Sequence, residues 1–354
     1  MTRSDRLLHL DFVAAVLWAV RIAAVVVVLW GAFFSLTSGR LTAVQWRDLI
    51  VFGIAQGSVY ALIALGYTMV YGVLGFINFA HGEVFMSGAM VGFFAADALF
   101  RAGLWASNPF LSLLIVLVVS MATSTLVAVL LERVAYRRLR AAPRLIPLIT
   151  SIGASFFLQY AFRGLFGAGI RTYPSVGVLA GRIDVLGVRI ATSQALVIAV
   201  AIGMMVGLYQ FVERTKAGRA LRAVAEDKEI AALMGVNVDR TIVLTFAVGG
   251  AMAGVAGLLW GVVFRSVFFF TGFLPGIKAF TAAVLGGIGN IVGAMVGGLA
   301  LGIFESLGPS LVLSGLGIPS AHQLKDVVAF TALVLVLIFR PTGLLGERLA
   351  EERA

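Results

Sequence analysis

Cysteine is absent from this chain of 354 residues. Disulfides, thiolate metal sites and cysteine nucleophiles are therefore excluded. Charge is scarce as well: Asp, Glu, Lys and Arg make up 12% of the residues, against about 25% in a typical soluble domain. Only three histidines occur, His9, His81 and His322, and they are too scattered to form a metal-ligand set. No glycine-rich loop is followed by Lys-Ser/Thr, and no His-Glu-x-x-His, Ser/Lys or paired-Asp constellation occurs, so neither a nucleotide site nor a membrane hydrolase is supported. Hydrophobic residues, by contrast, reach 60%, and the mean hydropathy is +1.03. This balance excludes a soluble globular enzyme, a disordered chain and a small secreted domain, and leaves an integral membrane protein. Spanning helices of about 20 residues each then leave too little chain for a sizeable soluble catalytic domain.

The apolar stretches are Phe12–Phe34, Leu49–Leu74, Val84–Phe100, Phe110–Leu131, Leu145–Phe166, Ala191–Val212, Thr241–Phe264, the glycine-rich Gly276–Leu307, and Val327–Phe339. Barrel strands need only about 10 alternating residues. The lengths therefore predict an all-α, polytopic transmembrane helical bundle of eight to ten spans. One of these is broken or re-entrant, because residues 276–290 are too short to cross comfortably and hold Gly286, Gly287 and Gly289. The first stretch, behind Arg3 and Arg6, resembles a signal peptide but lacks a convincing cleavage site, so it reads as a retained span or anchor over residues 1–45.

The net charge is +10, and the basic residues gather at the ends of apolar runs, which argues for loop sidedness rather than nucleic acid. Residues 133–144 carry five Arg, and residues 214–240 carry six Lys or Arg. Two spans separate these clusters, so both are expected in the cytoplasm, with the N-terminus and the 347–354 tail. Segments 165–190 and 308–325 then lie outside, against the awkward presence there of Arg163, Arg171, Arg182 and Arg189.

The chain also echoes itself. Val-Leu-Gly-Phe-Ile at 73–77 is matched by Val-Leu-Gly-Gly-Ile at 284–288, and Gly-Ala-Met-Val-Gly occurs at both 88–92 and 293–297. Related halves with broken helices in corresponding positions are a transporter device, although membrane helices draw on few residue types and chance produces such echoes too.

Segment 214–240 is too charged for lipid, yet Leu221, Val224, Ala225, Ala231 and Leu233 interleave with its charges, and Gly235 and Asn237 supply stop signals. It reads as one or two short amphipathic helices at the cytoplasmic surface, or as a solvated loop that merely satisfies the positive-inside rule. Its core, Glu229-Ile-Ala-Ala-Leu-Met-Gly235, resembles the Glu-Ala-Ala-x-x-x-Gly loop of ABC importer permeases, with the Ala pair one position late. The wider string from Gly218 to Asp227, followed by Leu233 to Arg240, is similar to the permeases of branched-chain amino acid importers. So is Ala61-Leu-Ile-Ala-Leu-Gly-Tyr-Thr-Met-Val-Tyr-Gly-Val-Leu-Gly-Phe-Ile-Asn-Phe-Ala-His-Gly-Glu83, almost residue for residue. Weaker matches fall at 132–137, 278–290, 325–328 and 341–346, so the resemblance covers about 53–346 and omits the first forty-odd residues.

The resemblance implies a non-catalytic permease domain over 46–346. It would form the pathway for a branched-chain amino acid in the bacterial inner membrane, with a second permease subunit, two cytoplasmic ATPase subunits and an extracytoplasmic solute-binding protein. No cofactor is expected in this chain; ATP and Mg would sit on the ATPase subunits. Gly218, Arg219, Arg222, Glu226, Asp227, Glu229, Ala231, Ala232 and Gly235 are the implied docking face. Related permeases carry urea, amides or other amino acids. A secondary carrier coupled to ions is the alternative from another class, for which Asp97, Glu305 and Glu83 are the acidic candidates.

Asn78, His81 and Glu83 interrupt an apolar run. They read either as an ordinary cytoplasmic turn or as polar groups at a gate, with Glu83 alternatively capping the following helix. Gly286, Gly287, Gly289 and Asn290 join the pathway candidates, as a tight packing point or re-entrant tip rather than a phosphate cradle. Glu305 is expected to reach the membrane interface, and Gly250 and Gly254 to mark a helix contact.

Overall fold

A computed structural model describes residues 3–140, 142–143, 145–185 and 188–346. Arg144 and the 347–354 tail lie outside the described residues. Thirteen α-helices follow one another: α1 Arg3–Thr37, α2 Ala43–Leu74, α3 His81–Arg101, α4 Leu104–Ser107, α5 Pro109–Leu131, α6 Leu145–Phe166, α7 Thr192–Arg214, α8 Lys216–Glu226, α9 Lys228–Leu233, α10 Val238–Phe264, α11 Phe273–Gly286, α12 Ile291–Gly308 and α13 Lys325–Phe339. Among the described residues, nine helices are long and apolar enough to cross a membrane. The expected helical bundle is therefore the observed one, with its span count inside the expected range.

Local chemistry sets the ends. Thr42 and Gln45 form a reciprocal capping box at the start of α2, with the Thr42 hydroxyl accepting from the Gln45 N–H at 3.3 Å and Gln45 Oε1 accepting from the Thr42 N–H at 2.8 Å. Gly75 closes α2 in the left-handed region, φ +74°, its N–H donating to the Tyr71 carbonyl at 2.8 Å. Asn237 and Asn290 cap α10 and α12 by accepting from the N–H groups of Arg240 and Gly293, at 3.0 and 2.9 Å.

The core is α2 and α10, buried along most of their length, whereas few residues of α13 and of the Ala15–Thr37 part of α1 are buried. Close approach is achieved with glycine. Gly53 and Gly57 of α2 face Gly302 and Gly298 of α12, and a Cβ built on Gly57 would stand 2.8 Å from the Gly298 carbonyl oxygen. This is a small-x-x-x-small contact on both partners. The Gly250–Gly254 face of α10 lies against α5, where added Cβ atoms would meet the carbonyl oxygens of Ser124 and Ser120 at 2.8 and 2.5 Å.

Helix ends sort into two sets. At one end, β1 (Arg171–Thr172) pairs with β4 (Ser266–Val267), and β2 (Arg182–Val185) forms a hairpin with β3 (Val188–Ala191). There the Trp105 indole donates to the Ser175 carbonyl at 3.1 Å, and the Ser35 hydroxyl to the Ser310 carbonyl at 2.7 Å. At the opposite, basic end Arg137 pairs with Asp239 at 3.2 Å, and the Leu344 N–H donates to the Leu285 carbonyl at 2.8 Å.

Two segments break the helical pattern at depth. After α2 ends, residues 75–80 climb back into the bundle, so that α3 starts beside Gly66, eight residues, or about 12 Å, above the end of α2. After β4, residues 268–272 descend to the same level, where Gly272 and Gly276 touch Gly82. The short α11, 14 residues and about 21 Å long, then runs to the basic end. It cannot cross a hydrocarbon core of about 30 Å alone, which is the broken geometry expected for 276–290. Both echoed sequence pairs fall on these helix–turn–helix units, α2–α3 and α11–α12.

The α2–α12 seam yields a direct test. Gly302→Val drives a side chain into the Gly57 backbone and is expected to cost about 1–3 kcal/mol through overpacking. Gly153→Ala, with no atom within 4 Å of its new methyl group, should be close to neutral. Thermal unfolding of the two variants in detergent checks the difference.

Candidate functional site

The three polar residues of the α2–α3 link are buried, with Asn78 and His81 2% exposed and Glu83 1%. The reading of 75–83 as an ordinary surface turn is thereby corrected. The link climbs into the bundle, where lipid offers no hydrogen bonds and protein must supply them. Asn78 Oδ1 accepts from the Tyr136 hydroxyl at 2.6 Å and from the Ala80 N–H at 3.1 Å, which ties the link to the end of the α5 span. His81 is wedged between Gly66 of α2 and Gly249 of α10, edge-on to the Tyr67 ring at 5.0 Å. Glu83 does not cap α3, whose Ncap residue Ala80 makes no side-chain cap bond. Its Oε1 instead accepts from Gln159 Nε2 at 2.7 Å and from the Ser155 hydroxyl at 3.3 Å, both on α6.

Glu83 borders a cavity of 220 Å³ together with Tyr67, Phe79, Ile152, Phe156 and Phe273, on a flank of the bundle between α6 and α11. A separate gap of about 10 Å³ lies on the other side of Tyr67, bounded also by Tyr71, Phe280 and Ile288, about the room of one water. Phe280 closes this gap against Phe79 and Tyr67, at ring separations of 5.8 and 6.1 Å. Of the seven pathway candidates only Glu83 reaches the cavity. Gly286, Gly287, Gly289 and Asn290 lie together at the α11–α12 turn. Gly286 meets the Gly293 backbone, Gly287 meets Gly346, and the Asn290 amide donates to the Leu345 carbonyl at 3.1 Å. Tyr67, Phe79, Ser155, Phe156, Gln159 and Phe273 were not singled out from sequence. Ser155 and Gln159, polar and one helical turn apart in an apolar span, were the available signal.

The 214–240 segment forms two helices, α8 and α9, at the basic end. The Thr215 hydroxyl accepts from the Gly218 N–H at 2.9 Å, and Asp227 Oδ1 accepts from the N–H groups of Glu229 and Ile230 at 2.8 and 2.9 Å. Gly235 ends the unit at φ +84°, a backbone shape that disfavours other residues. Leu221, Val224 and Ala231 face inward and are buried, as is Gly218, which packs on the Phe211 and Val212 carbonyls. Arg219, Arg222, Glu226, Asp227, Glu229 and Ala232 are exposed, with Arg222 paired to Glu213 at 2.5 Å. Ile230, Leu233 and Met234 protrude, 59%, 87% and 80% exposed. Their i, i+3, i+4 spacing was the signal that marks them as one apolar face. Beside α8 a groove of 500 Å³ runs past Val73 and Leu74 of α2.

A third feature was missed in the sequence. Lys278 of α11, 5% exposed, pairs with Glu305 of α12 at 2.7 Å and with Asp326 of α13 at 2.6 Å. The Tyr60 hydroxyl donates to Glu305 at 3.0 Å. Glu305 is therefore buried rather than interfacial, because Lys278 neutralises it in place. Asp97 pairs with Arg101 at 2.9 Å. Among the described residues no cluster of His, Asp or Glu has metal-binding geometry.

Among the described residues, nine apolar helices of membrane-spanning length, with irregular links buried between them, define a polytopic membrane protein. The chain belongs to the family described as branched-chain amino acid transport system / permease component, whose profile matches residues 49–337. It is 46% identical over 305 residues to the high-affinity branched-chain amino acid transport system permease protein BraD of Pseudomonas aeruginosa, covering 85% of this chain and 96% of that one. It is 44% identical over 297 residues to the corresponding LivH protein of Escherichia coli, covering 83% and 93%. The fructose import permease protein FrcC of Rhizobium meliloti is 31% identical over 186 residues, about half of each chain (49% and 50%). No solved structure matches. The spans and the relatives together place the chain in the bacterial inner membrane as a multi-pass protein.

The buried ion pair is open to measurement. Lys278→Met leaves buried Glu305 with only the more distant Lys325, 3.8 Å away, and is expected to cost up to about 3–5 kcal/mol, whereas Lys278→Met with Glu305→Leu removes both buried charges and regains most of that loss. Equilibrium unfolding in mixed micelles distinguishes the two. Equal losses would mean that the pair does not secure α11 to α12.

Proposed function

We propose that this chain is the translocation subunit of an ATP-driven importer for branched-chain amino acids. The observation that carries the reading is the pairing of a permease family match over 49–337 with an exposed apolar knob, Ile230, Leu233 and Met234, on a charged two-helix unit. A knob of this kind at the basic end suits a protein partner: apolar anchors ringed by charge are the anatomy of a binding hot spot. In this reading the basic end faces the cytoplasm, as its Lys and Arg bias favours. There it meets two ATPase subunits that hold ATP and Mg, while a solute-binding protein delivers the substrate at the β end.

A second permease subunit faces the flank that carries the Glu83 cavity, and the path runs between the two. Residues 46–346 are the permease proper, residues 1–45 an added span, and 347–354 a cytoplasmic tail. The docking face comprises Arg219, Arg222, Glu226, Glu229 and Ala232 around the knob. Gly218, Asp227, Ala231 and Gly235 hold the shape of the unit, as packing points and caps. The cavity's apolar walls fit an aliphatic side chain, and the narrow point at Tyr67 and Phe280 is the gate. Rocking of helical units about such a site gives alternating access.

The test is mutational. Leu233→Asp with Met234→Asp should leave membrane insertion intact but weaken co-purification of the ATPase subunits and leucine-driven ATP hydrolysis by about thirtyfold or more, the cost of losing a hot-spot contact of about 2 kcal/mol. Unchanged coupling would remove α9 from the docking role. The purified chain alone should neither hydrolyse ATP nor accumulate solute, and uptake driven by an ion gradient through it alone would favour a secondary carrier.

A further inference from the structure

We propose that Glu83 receives the α-ammonium group of the amino acid as it passes the cavity, an assignment that rests on the importer reading above. Three carboxylates are buried among the described residues: Glu83, Glu132 and Glu305. Glu132 is held by Arg140 and Glu305 by Lys278. Glu83 forms no ion pair among the described residues. Its Oε1 is occupied by Gln159 and Ser155, while its Oε2 has no hydrogen-bond partner. A buried acceptor left without a donor costs free energy in any setting, and most in a membrane interior. The orphan oxygen faces Gly272, where a Cβ would stand 2.7 Å away. Glycine at that position leaves the oxygen its space.

The surroundings narrow the class of ligand. A bare metal ion asks for six or more oxygen ligands, and this cavity offers few, its walls being Phe79, Ile152, Phe156, Phe273 and Ile277 beside Tyr67. An ammonium group needs a carboxylate oxygen, and its aliphatic remainder needs just such walls. At 220 Å³ the cavity is smaller than the about 300–1,000 Å³ usual for drug-sized ligands, which suits a small zwitterion. Gln159 and Ser155 then act as positioning residues, holding Oε1 so that Oε2 stays free beside Gly272.

The intact importer complex in nanodiscs, without its solute-binding protein, is tested by equilibrium dialysis against radiolabelled leucine. Isoamylamine, which keeps the ammonium, and isocaproate, which keeps the carboxylate, serve as competitors. Binding is expected with isoamylamine competing and isocaproate failing to compete. Glu83→Gln should weaken leucine binding by about thirtyfold, the low end for removing a buried charge partner. The exchange Glu83→Gln with Gln159→Glu returns a carboxylate to the same cavity and should recover most of the binding. No binding by the unaltered complex, equal competition by isocaproate, undiminished binding in Glu83→Gln, or an exchange that folds without recovery each overturns the assignment. ATP-driven leucine uptake by the unaltered complex with its binding protein in proteoliposomes is scored separately. Its absence sinks the importer reading itself, whereas uptake that persists beside a failed binding test sinks only the role of Glu83.

Discussion

Hydrocarbon accepts no hydrogen bonds, and this chain leaves the helical state twice at membrane depth. Residues 75–80 and 268–272 expose backbone polar groups that only protein can satisfy. The rest of the architecture follows from that requirement. Asn78 ties the first link to Tyr136, the Ser151 hydroxyl accepts from the Phe79 N–H at 3.2 Å, and Thr271 accepts from the Phe268 N–H at 2.8 Å in the second. To surround both links with protein, α2 must come close to α12 and α10 to α5, and the glycines at 57, 298 and 302 and at 250 and 254 remove the side chains that would keep them apart. The cost of two irregular segments is thus repaid by a cavity placed where the helices of a simple bundle would have none.

Buried charge obeys the same logic with a different outcome at each site. Lys278 and Glu305 neutralise one another within hydrogen-bond distance and join three helices. Such a pair adds little net stability over an apolar replacement, but it ties α11 to α12, because removing either partner leaves the other buried charge with a more exposed counterion alone, Asp326 for Lys278 and Lys325 at 3.8 Å for Glu305. Glu132 and Arg140, with Asp239, do similar work at the basic end, where they link the end of the α5 span to the start of α10. Glu83 departs from this pattern, since it forms no ion pair among the described residues and its donors, Gln159 and Ser155, are neutral.

Much of this was legible in the residues. Span positions followed from hydropathy, since each long apolar run had only one way to satisfy its backbone. The amphipathic unit at 214–240 was visible as charges interleaved with Leu221, Val224, Ala225, Ala231 and Leu233, of which the structure buries Leu221, Val224 and Ala231 and leaves Ala225 and Leu233 exposed. What escaped notice depended on the third dimension. Lys278 reads as an isolated cation until α12 brings Glu305 to it, and Gln159 as an isolated amide until α3 presents Glu83. Depth was likewise hidden: Asn78, His81 and Glu83 follow a helix end marked by Gly75, a pattern shared by surface turns, and nothing local records that the chain then climbs inward. The Gly286–Asn290 turn joined the pathway candidates as a tight packing point or re-entrant tip, yet its link, residues 287–290 against 75–80, is two residues shorter. That shorter link turns at the basic end rather than entering the bundle.

The cavity and the proposed docking unit are mechanically close because they share α2. Tyr67 borders the cavity and its gate, Gly72 lies 3.9 Å from the Ala225 side chain if given a Cβ, and Val73 and Leu74 wall the groove beside α8 and α9. Five to seven residues of continuous helix separate the two, about 8–10 Å at 1.5 Å per residue, with no loop between to absorb a displacement. Gly75 then releases the chain into the link that carries Glu83, so α2 and α3 present opposite walls of the same cavity. A push on α8 that shifted the end of α2 would alter the spacing between Tyr67 and Phe280 and would load α12, which packs on α2 through Gly53 and Gly57. In a packed core with discrete arrangements, a small displacement of that kind switches a constriction rather than merely straining it.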